Sequence, residues 1–294
     1  APYQELAKAN VGGVKESLRL ALTGKRKHIH YASTLSVFVA TDRNTGRVYE
    51  NDKLEKTADV YGGYAQTKWV AECLLHQIPE QAVPISQYRF GLITGDSRTG
   101  SGAAADFLSL FVRGIKSLGV VPQDDKLHNL AVDITPVDYA AAAMADISLG
   151  ASHGIYHIAN TRSLMLPDLI SSLKREGVNL LPVTLEEWKN LPKERDLSGE
   201  ETAAWMALCR ALPEGDFERL RMMDLFQSTG ISFDMSRSRF SCPPPMDDLI
   251  DKYVCSVLSR QGGIYRICLF GPESTGKSTL AGKLAEHFST VFVP

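Results

Sequence analysis

"YAQTKWVAECLLHQI", Tyr64 to Ile78, carries Trp69, Val70, Cys73 and Leu74 at helical spacing and stops before Pro79. Its neighbours decide the fold. Before it lies "HIHYAST" (His28 to Thr34), a short, apolar, β-rich run, and after it "VPISQYRFGLI" (Val83 to Ile93), a second one. Upstream, from Tyr3 to Leu22, Val11, Val14, Leu18 and Ala21 form one helical stripe, which Gly24 ends. Helix, strand, helix, strand in succession predicts an α/β fold with a Rossmann-like parallel sheet.

The pattern continues past the Gly/Ser/Thr-rich loop "TGDSRTGSG". An amphipathic helix is expected over Ala105 to Leu118, an Ala-rich helix after Pro136, and a strand at "GIYHIAN". Residues 162–235 read as a smaller, mainly helical cap subdomain, with Trp188, Trp205 and Phe226 filling a smaller core of its own. "SRSRFSCPPPMDD" breaks the texture, because consecutive prolines remove backbone donors and hold the chain extended. One last helix, Asp247 to Leu258, closes a first domain over 1–258, and 259–294 starts a second.

Composition limits the function classes. With 44% hydrophobic and 22% charged residues the 294-residue chain has the make-up of a folded soluble protein. A net charge of −2 gives no electrostatic footprint for nucleic acid, and "GKRKH" (Gly24 to His28) reads as a solvated turn. Five scattered cysteines make neither a zinc knuckle nor a disulfide framework, which fits a reducing cytoplasm. His28 and His30 share a strand face without a third ligand nearby, and Cys73 with His76 reads as helix packing. No apolar run is long enough to span a membrane and no signal peptide is visible. The opening on Ala1 with helical spacing already running is expected of a cut through a larger protein.

Tyr64 and Lys68, four residues apart at the start of a helix, share a face, so the ammonium can sit near the phenol and favour proton transfer. Tyr49 and Lys53 have the same spacing but lie in a polar loop with acidic neighbours and no apolar stripe. Ser33 and Thr34 stand where a parallel strand ends, and functional groups of open α/β sheets gather at those ends. Strand-end hydroxyl, tyrosine and lysine in that order make an acid–base constellation.

Five motifs in series, "NVGGVKESLRLA", "HYASTLSV", "YAQTKWVAE", "YRFGLITGDSRTG" and "ITPVDYAAAAM", resemble the thioester reductase domains of the extended short-chain dehydrogenase/reductase superfamily. Such domains occur in carboxylic acid reductases, aminoadipate reductases and as the terminal reductases of nonribosomal peptide synthetases. The resemblance covers about Pro2 to Val254. It implies that an acyl thioester on the phosphopantetheine arm of a carrier domain takes hydride from NADPH, giving an aldehyde or an alcohol. On it, Tyr64 would donate the proton, Thr34 would hydrogen-bond the oxyanion, and Lys68 would bind the nicotinamide ribose and tune Tyr64. Ser33 would stand beside the cofactor, Phe90 and Gly91 would line the nicotinamide, and the loop from Gly95 to Gly102 would shape the acyl channel. Members of this family begin with a strand, a glycine-rich turn and a helix that hold the pyrophosphate. That unit is absent from this sequence, since Gly12 and Gly13 lie inside a helix pattern and read as a close packing contact. The sheet is therefore expected to be incomplete at its N-terminus, and reductase activity to be impaired.

"GPESTGKST", Gly271 to Thr279, satisfies G-x-x-x-x-G-K-[ST] between the strand-like "IYRICLF" and a helical "STLAGKLAEHF". Gly271 and Gly276 permit the turn, Lys277 reaches the β- and γ-phosphates of ATP, and Ser278, followed by Thr279, can ligate Mg²⁺. The segment resembles the start of a P-loop nicotinamide riboside kinase. It is expected to form a strand–P-loop–helix fragment that cradles a phosphate without the acidic residue, base and lid that transfer requires. Two further readings stand beside the reductase: a P-loop kinase carrying a non-catalytic appendage, and a module that binds pantetheine-linked partners without turnover.

Overall fold

The computed structural model describes residues 2–39, 46–52, 54, 60, 62–123, 130–150, 153–211, 226–228, 231–233 and 239–259. The chain divides into two compact units, Ala1–Ser259 and Arg260–Pro294. The second unit, with Gly271, Gly276, Lys277, Ser278 and Thr279, lies outside the described residues, as does Lys53.

The first helical stripe forms α1 (Tyr3–Ala7) and α2 (Gly13–Leu22), joined by a π-helical turn at Lys8–Gly12. β1 (Ile29–Thr34) follows, then the four-residue α3 (Ser36–Val39), β2 (Gly46–Val48), α4 (Gly63–Leu75) and β3 (Ile85–Phe90). β4 (Ile93–Thr94), α5 (Phe107–Leu118), β5 (Val120–Pro122), β6 (Leu130–Val132) and β7 (Thr135–Pro136) lead to α6 (Val137–Ser148) and β8 (Ile155–Ile158). Later come β9 (Leu164–Met165), α7 (Leu166–Arg175), β10 (Leu181–Val183), α8 (Leu185–Glu194), α9 (Gly199–Ala211), β11 (Phe226–Ser228), β12 (Ile231–Phe233) and α10 (Asp247–Ser259).

The sheet that positions the site has the order β1-β3-β8, with both pairs parallel. Thr34 stands beside Phe90, and Phe90 beside Ile158, so the three carboxyl ends share one edge. Alternation assigns the two faces. Tyr31 and Ile85 pack on Val14, Leu18, Ala71 and Leu75 of α2 and α4, whereas Tyr88, Phe90 and Ile158 pack on Ala140 and Ala143 of α6. Leu75 is 2% exposed, and truncating so buried a leucine to alanine costs about 2–5 kcal/mol.

Two expectations are corrected. Gly12 and Gly13 make no close packing contact: a Cβ at Gly13 would meet nothing within 4 Å, and one at Gly12 would meet only Ala7 O at 3.9 Å. The tight approach is at Gly114, where a Cβ would fall 2.2 Å from Glu200 O, which lets α5 lie directly against α9. Among the described residues, the helical region also shares its core with the rest of the first unit. Trp188 is fully buried in one cluster with Leu108, Ile115, Val132, Leu169 and Ile250, against which Trp205 packs while donating to Trp188 O at 2.8 Å. The side chain of Phe226 lies outside the described residues.

Candidate active site

β1 delivers Ser33 and Thr34 to the carboxyl edge, both buried. The chain then turns: Leu35 N donates to Phe90 O at 2.8 Å, and Thr34 Oγ1 accepts from Ser36 N at 3.1 Å. α4 starts beside this turn because Gly62 adopts φ 77°, a backbone conformation that side-chain-bearing residues disfavour. Its first turn is fixed from outside. Asn10, in the π-helical turn, donates to Thr67 Oγ1 at 2.9 Å, and Thr67 Oγ1 donates to Tyr64 O at 2.8 Å.

Thr34, Tyr64 and Lys68 are thereby brought together. Burial holds the Tyr64 phenol above its usual pKa, with Thr34 opposing the shift, and the Thr34 hydroxyl itself donates to Ser36 Oγ at 3.0 Å. Lys68 Nζ lies 6.0 Å from the centre of the Tyr64 ring and 5.0 Å from that of Tyr31, and donates to Ala32 O at 2.8 Å. Burial lowers the Lys68 pKa, with Glu72 one turn on opposing the shift.

Ser33 is held from within the fold. Its hydroxyl donates to the Glu72 carboxylate, inside the α4 face of the sheet. Glu72 is also the partner of Arg89: Nη2 donates at 2.7 Å and Nε at 3.1 Å to Oε2, and both side chains are wholly buried. The guanidinium covers the Phe38 ring at 4.7 Å, donates to Glu50 O at 3.3 Å and meets His157 Nε2 at 3.4 Å. Sequence reading passed over this buried ion pair. Its signal was available: Arg89 interrupts the apolar run of a central strand, where an unpaired cation is costly.

Phe90 and Gly91 close the edge, with Gly91 N donating to Ile158 O at 3.1 Å. Gly91 is required by close approach, since a Cβ there would fall 1.8 Å from Asp133 Oδ2. The loop over residues 95–102 is tied down by Asp138 of α6, whose carboxylate accepts from Ser97 N at 2.9 Å and Ser97 Oγ at 2.6 Å. Behind this loop a cavity is lined by Gly95, Gly100, Val112, Leu164, Leu169 and Tyr253.

Tyr49, of the second Tyr–Lys spacing, is 47% exposed. His28 and His30 do stack, with ring centres 4.0 Å apart, and Ser86 and Tyr88 take their ring nitrogens. Among the described residues no group of three His, Cys, Asp or Glu is placed to hold a metal ion, and no helix is long and apolar enough to cross a membrane.

The residues present fit the nicotinamide end of a dinucleotide. A hydroxyl, a phenol and an ammonium converge at the strand ends, the donor set that the ribose and carbonyl end of such a group requires. Gly12 and Gly13, both helical in φ, present no turn to a pyrophosphate.

Comparison with known proteins agrees with this geometry. Residues 1–144 match the NAD-binding family described as "Male sterility protein". A linear gramicidin synthase from Brevibacillus parabrevis is 35% identical over 191 residues, covering 64% of this chain and 4% of that protein. The non-canonical nonribosomal peptide synthetase hkm10 of Aspergillus hancockii is 32% identical over 271 residues, 86% of this chain and 26% of that one. The chain thus spans a small part of the length of these relatives. Among solved structures, the terminal R domain from the myxalamid PKS-NRPS biosynthetic pathway superposes with a TM-score of 0.73 at 29% identity, covering 89% of this chain and 66% of that chain. A UDP-glucuronic acid 4-epimerase from Bacillus cereus solved with NAD, at 15% identity and a TM-score of 0.58, shares the fold. The Rossmann-like sheet and these relatives make the chain similar to the NAD-binding family and to the reductase domains of nonribosomal peptide synthetases.

Proposed function

We propose that this chain carries the catalytic residues of a thioester reductase that uses NADPH to reduce an acyl group held on the phosphopantetheine of a carrier domain. The observation that carries the proposal is that Lys68 Nζ lies 6.0 Å from the Tyr64 ring centre on α4 and donates to Ala32 O, two residues before the buried Thr34 that ends β1. When bound, a reduced nicotinamide supplies the hydride. Tyr64 keeps its proton at neutral pH, because burial raises its pKa, and so holds it ready for the carbonyl oxygen of the substrate. Thr34, whose hydroxyl donates to Ser36 Oγ at 3.0 Å, would turn to offer a second hydroxyl to the same oxygen. Lys68 would meet the ribose hydroxyls of the nicotinamide after leaving Ala32 O, and Phe90 and Gly91 would form the wall behind the ring. Ser33 serves through Glu72 and steadies the strand end. The thioester carbon gains hydride, the carbon–sulfur bond breaks, and aldehyde and thiol are released.

The test is NADPH oxidation, followed at 340 nm, with an acyl-pantetheine thioester and with the same acyl group as a free acid. Turnover of the thioester alone, lost in Tyr64→Phe, is the expected result. A folded chain that oxidises no NADPH with any acyl thioester, at cofactor concentrations that saturate binding, would sink the proposal.

A further inference from the structure

Asp133 follows β6 and has no role in the constellation above. Its carboxylate is buried, and it fills the space that Gly91 leaves by lacking a Cβ: one built there would lie 1.8 Å from Oδ2 and 2.7 Å from Ala159 Cβ. Its partners explain the placement. β3 ends at Phe90 and β4 begins at Ile93, so the amide of Leu92 falls between two ladders. Leu92 N donates to Asp133 Oδ2 at 2.7 Å, satisfying a donor that would otherwise be orphaned. Thr135 Oγ1 donates to Oδ1 at 3.1 Å and accepts from Asn160 N at 3.0 Å. Asn160 Nδ2 in turn donates to Ile134 O at 2.9 Å and to Pro243 O at 3.0 Å. One hydrogen-bonded chain therefore joins the ends of β3, β6 and β8 to the proline segment before α10.

We propose that Asp133 is a positioning residue of the reductase site: through Leu92 N it fixes the Phe90–Leu92 backbone against which the nicotinamide would lie, and through Thr135 and Asn160 it couples that backbone to Pro243. The proposal rests on the reductase reading for its cofactor, and on the hydrogen-bond geometry alone for the backbone. A buried carboxylate is a costly way to pack a strand end, and an apolar side chain would pack at least as well. Its retention at this place is explained by a charge-assisted acceptor for an amide that has no ladder partner. Burial pushes the carboxyl up to about 6, against the bonds from Leu92 and Thr135 and the nearby Asn160 amide, which hold it down. Leu92, Ala159, Thr135 and Asn160 bring no ionisable group to it. Among the described residues, the Cys242 thiol feels its charge: burial first, then Asp133 and Asp138, push that thiol up to about 12, so it stays neutral.

The experiment is amide hydrogen exchange by NMR on the wild type, Asp133→Ala and Asp133→Asn, run from pH 5 to 8 beside an NADPH fluorescence titration of each. The Leu92 protection factor should fall at least tenfold in Asp133→Ala and be largely restored in Asp133→Asn, which keeps one acceptor. In the wild type that protection should step down as pH drops through about 6, and Asp133→Asn should show no step. NADPH should bind Asp133→Ala at least tenfold more weakly than wild type. Unchanged Leu92 protection in a folded Asp133→Ala would overturn the proposal; should that variant not fold, a wild-type protection profile without the step overturns it instead. A protection loss with unaltered NADPH affinity would also overturn it, by reducing Asp133 to a packing element. Absence of saturable NADPH binding in the wild type refutes the cofactor reading itself, and the exchange data then decide alone whether Asp133 fixes this backbone.

Discussion

The Lys68 ammonium donates to the carbonyl oxygen of Ala32 at 2.8 Å, on the edge of β1 that faces away from β3. The side follows from alternation: Ile29 N and Leu35 N both bond the β3 side, so even-numbered residues of β1 point the other way. The lysine expected to serve a ribose therefore rests on strand backbone, from which a ligand must draw it. Lys68→Ala should weaken NADPH binding at least tenfold. It should change unfolding free energy by only about 0.5–1.5 kcal/mol, the net worth of one hydrogen bond. Fluorescence titration and urea denaturation of the same preparation check both.

Tyr64→Phe removes the hydroxyl that α4 brings to Thr34 and leaves the ring packing intact. Turnover should drop by about 10²–10⁴, the typical share of a positioned acid, with the far-UV spectrum unchanged. Burial, opposed by Thr34, raises the Tyr64 pKa, so the active protonated form persists past the usual tyrosine value near 10. The pH–rate profile should accordingly show no alkaline limb from this group between pH 7 and 9.

Glu72→Ala leaves the Arg89 guanidinium buried without its carboxylate. The expected loss is about 3–5 kcal/mol, enough to lower the melting temperature by several degrees. Pairing it with Arg89→Met removes the orphan charge, so the double variant should be more stable than Glu72→Ala alone. Thermal melts of the three proteins decide this.

The Asp133 carboxyl titrates at about 6 in the fold, above its usual value near 3.9. The folded state thus holds its proton more tightly than the unfolded chain does. Stability from this group is highest below pH 4, falls as pH rises from about 4 to 6, and stays lower by about 3 kcal/mol above that. Asp133→Asn abolishes this term. Relative to wild type, the variant should gain stability as pH is raised from 4 to 7, which denaturant titrations at the two pH values will show.

The sequence by itself determined what lies within one element or its nearest neighbours. The 3.6-residue stripe of α4, the β-rich runs flanking it and the serine–threonine end of β1 were legible because periodicity and strand ends are local properties. The pairing of Tyr64 with Lys68 on one face came from the same source. Only the tertiary structure decided how those residues are held. Arg89 meets Glu72 across 17 residues, Leu92 meets Asp133 across 41, and Asn10 meets Thr67 across 57. No period links such positions, and each contact exists because a buried polar group must find a partner wherever the fold places one. The same applies to Trp188, whose helix looked like part of a separate subdomain but packs into a core shared with α5, α7 and α10. Apolar faces show in a sequence that they must be covered, and only the folded chain shows by what.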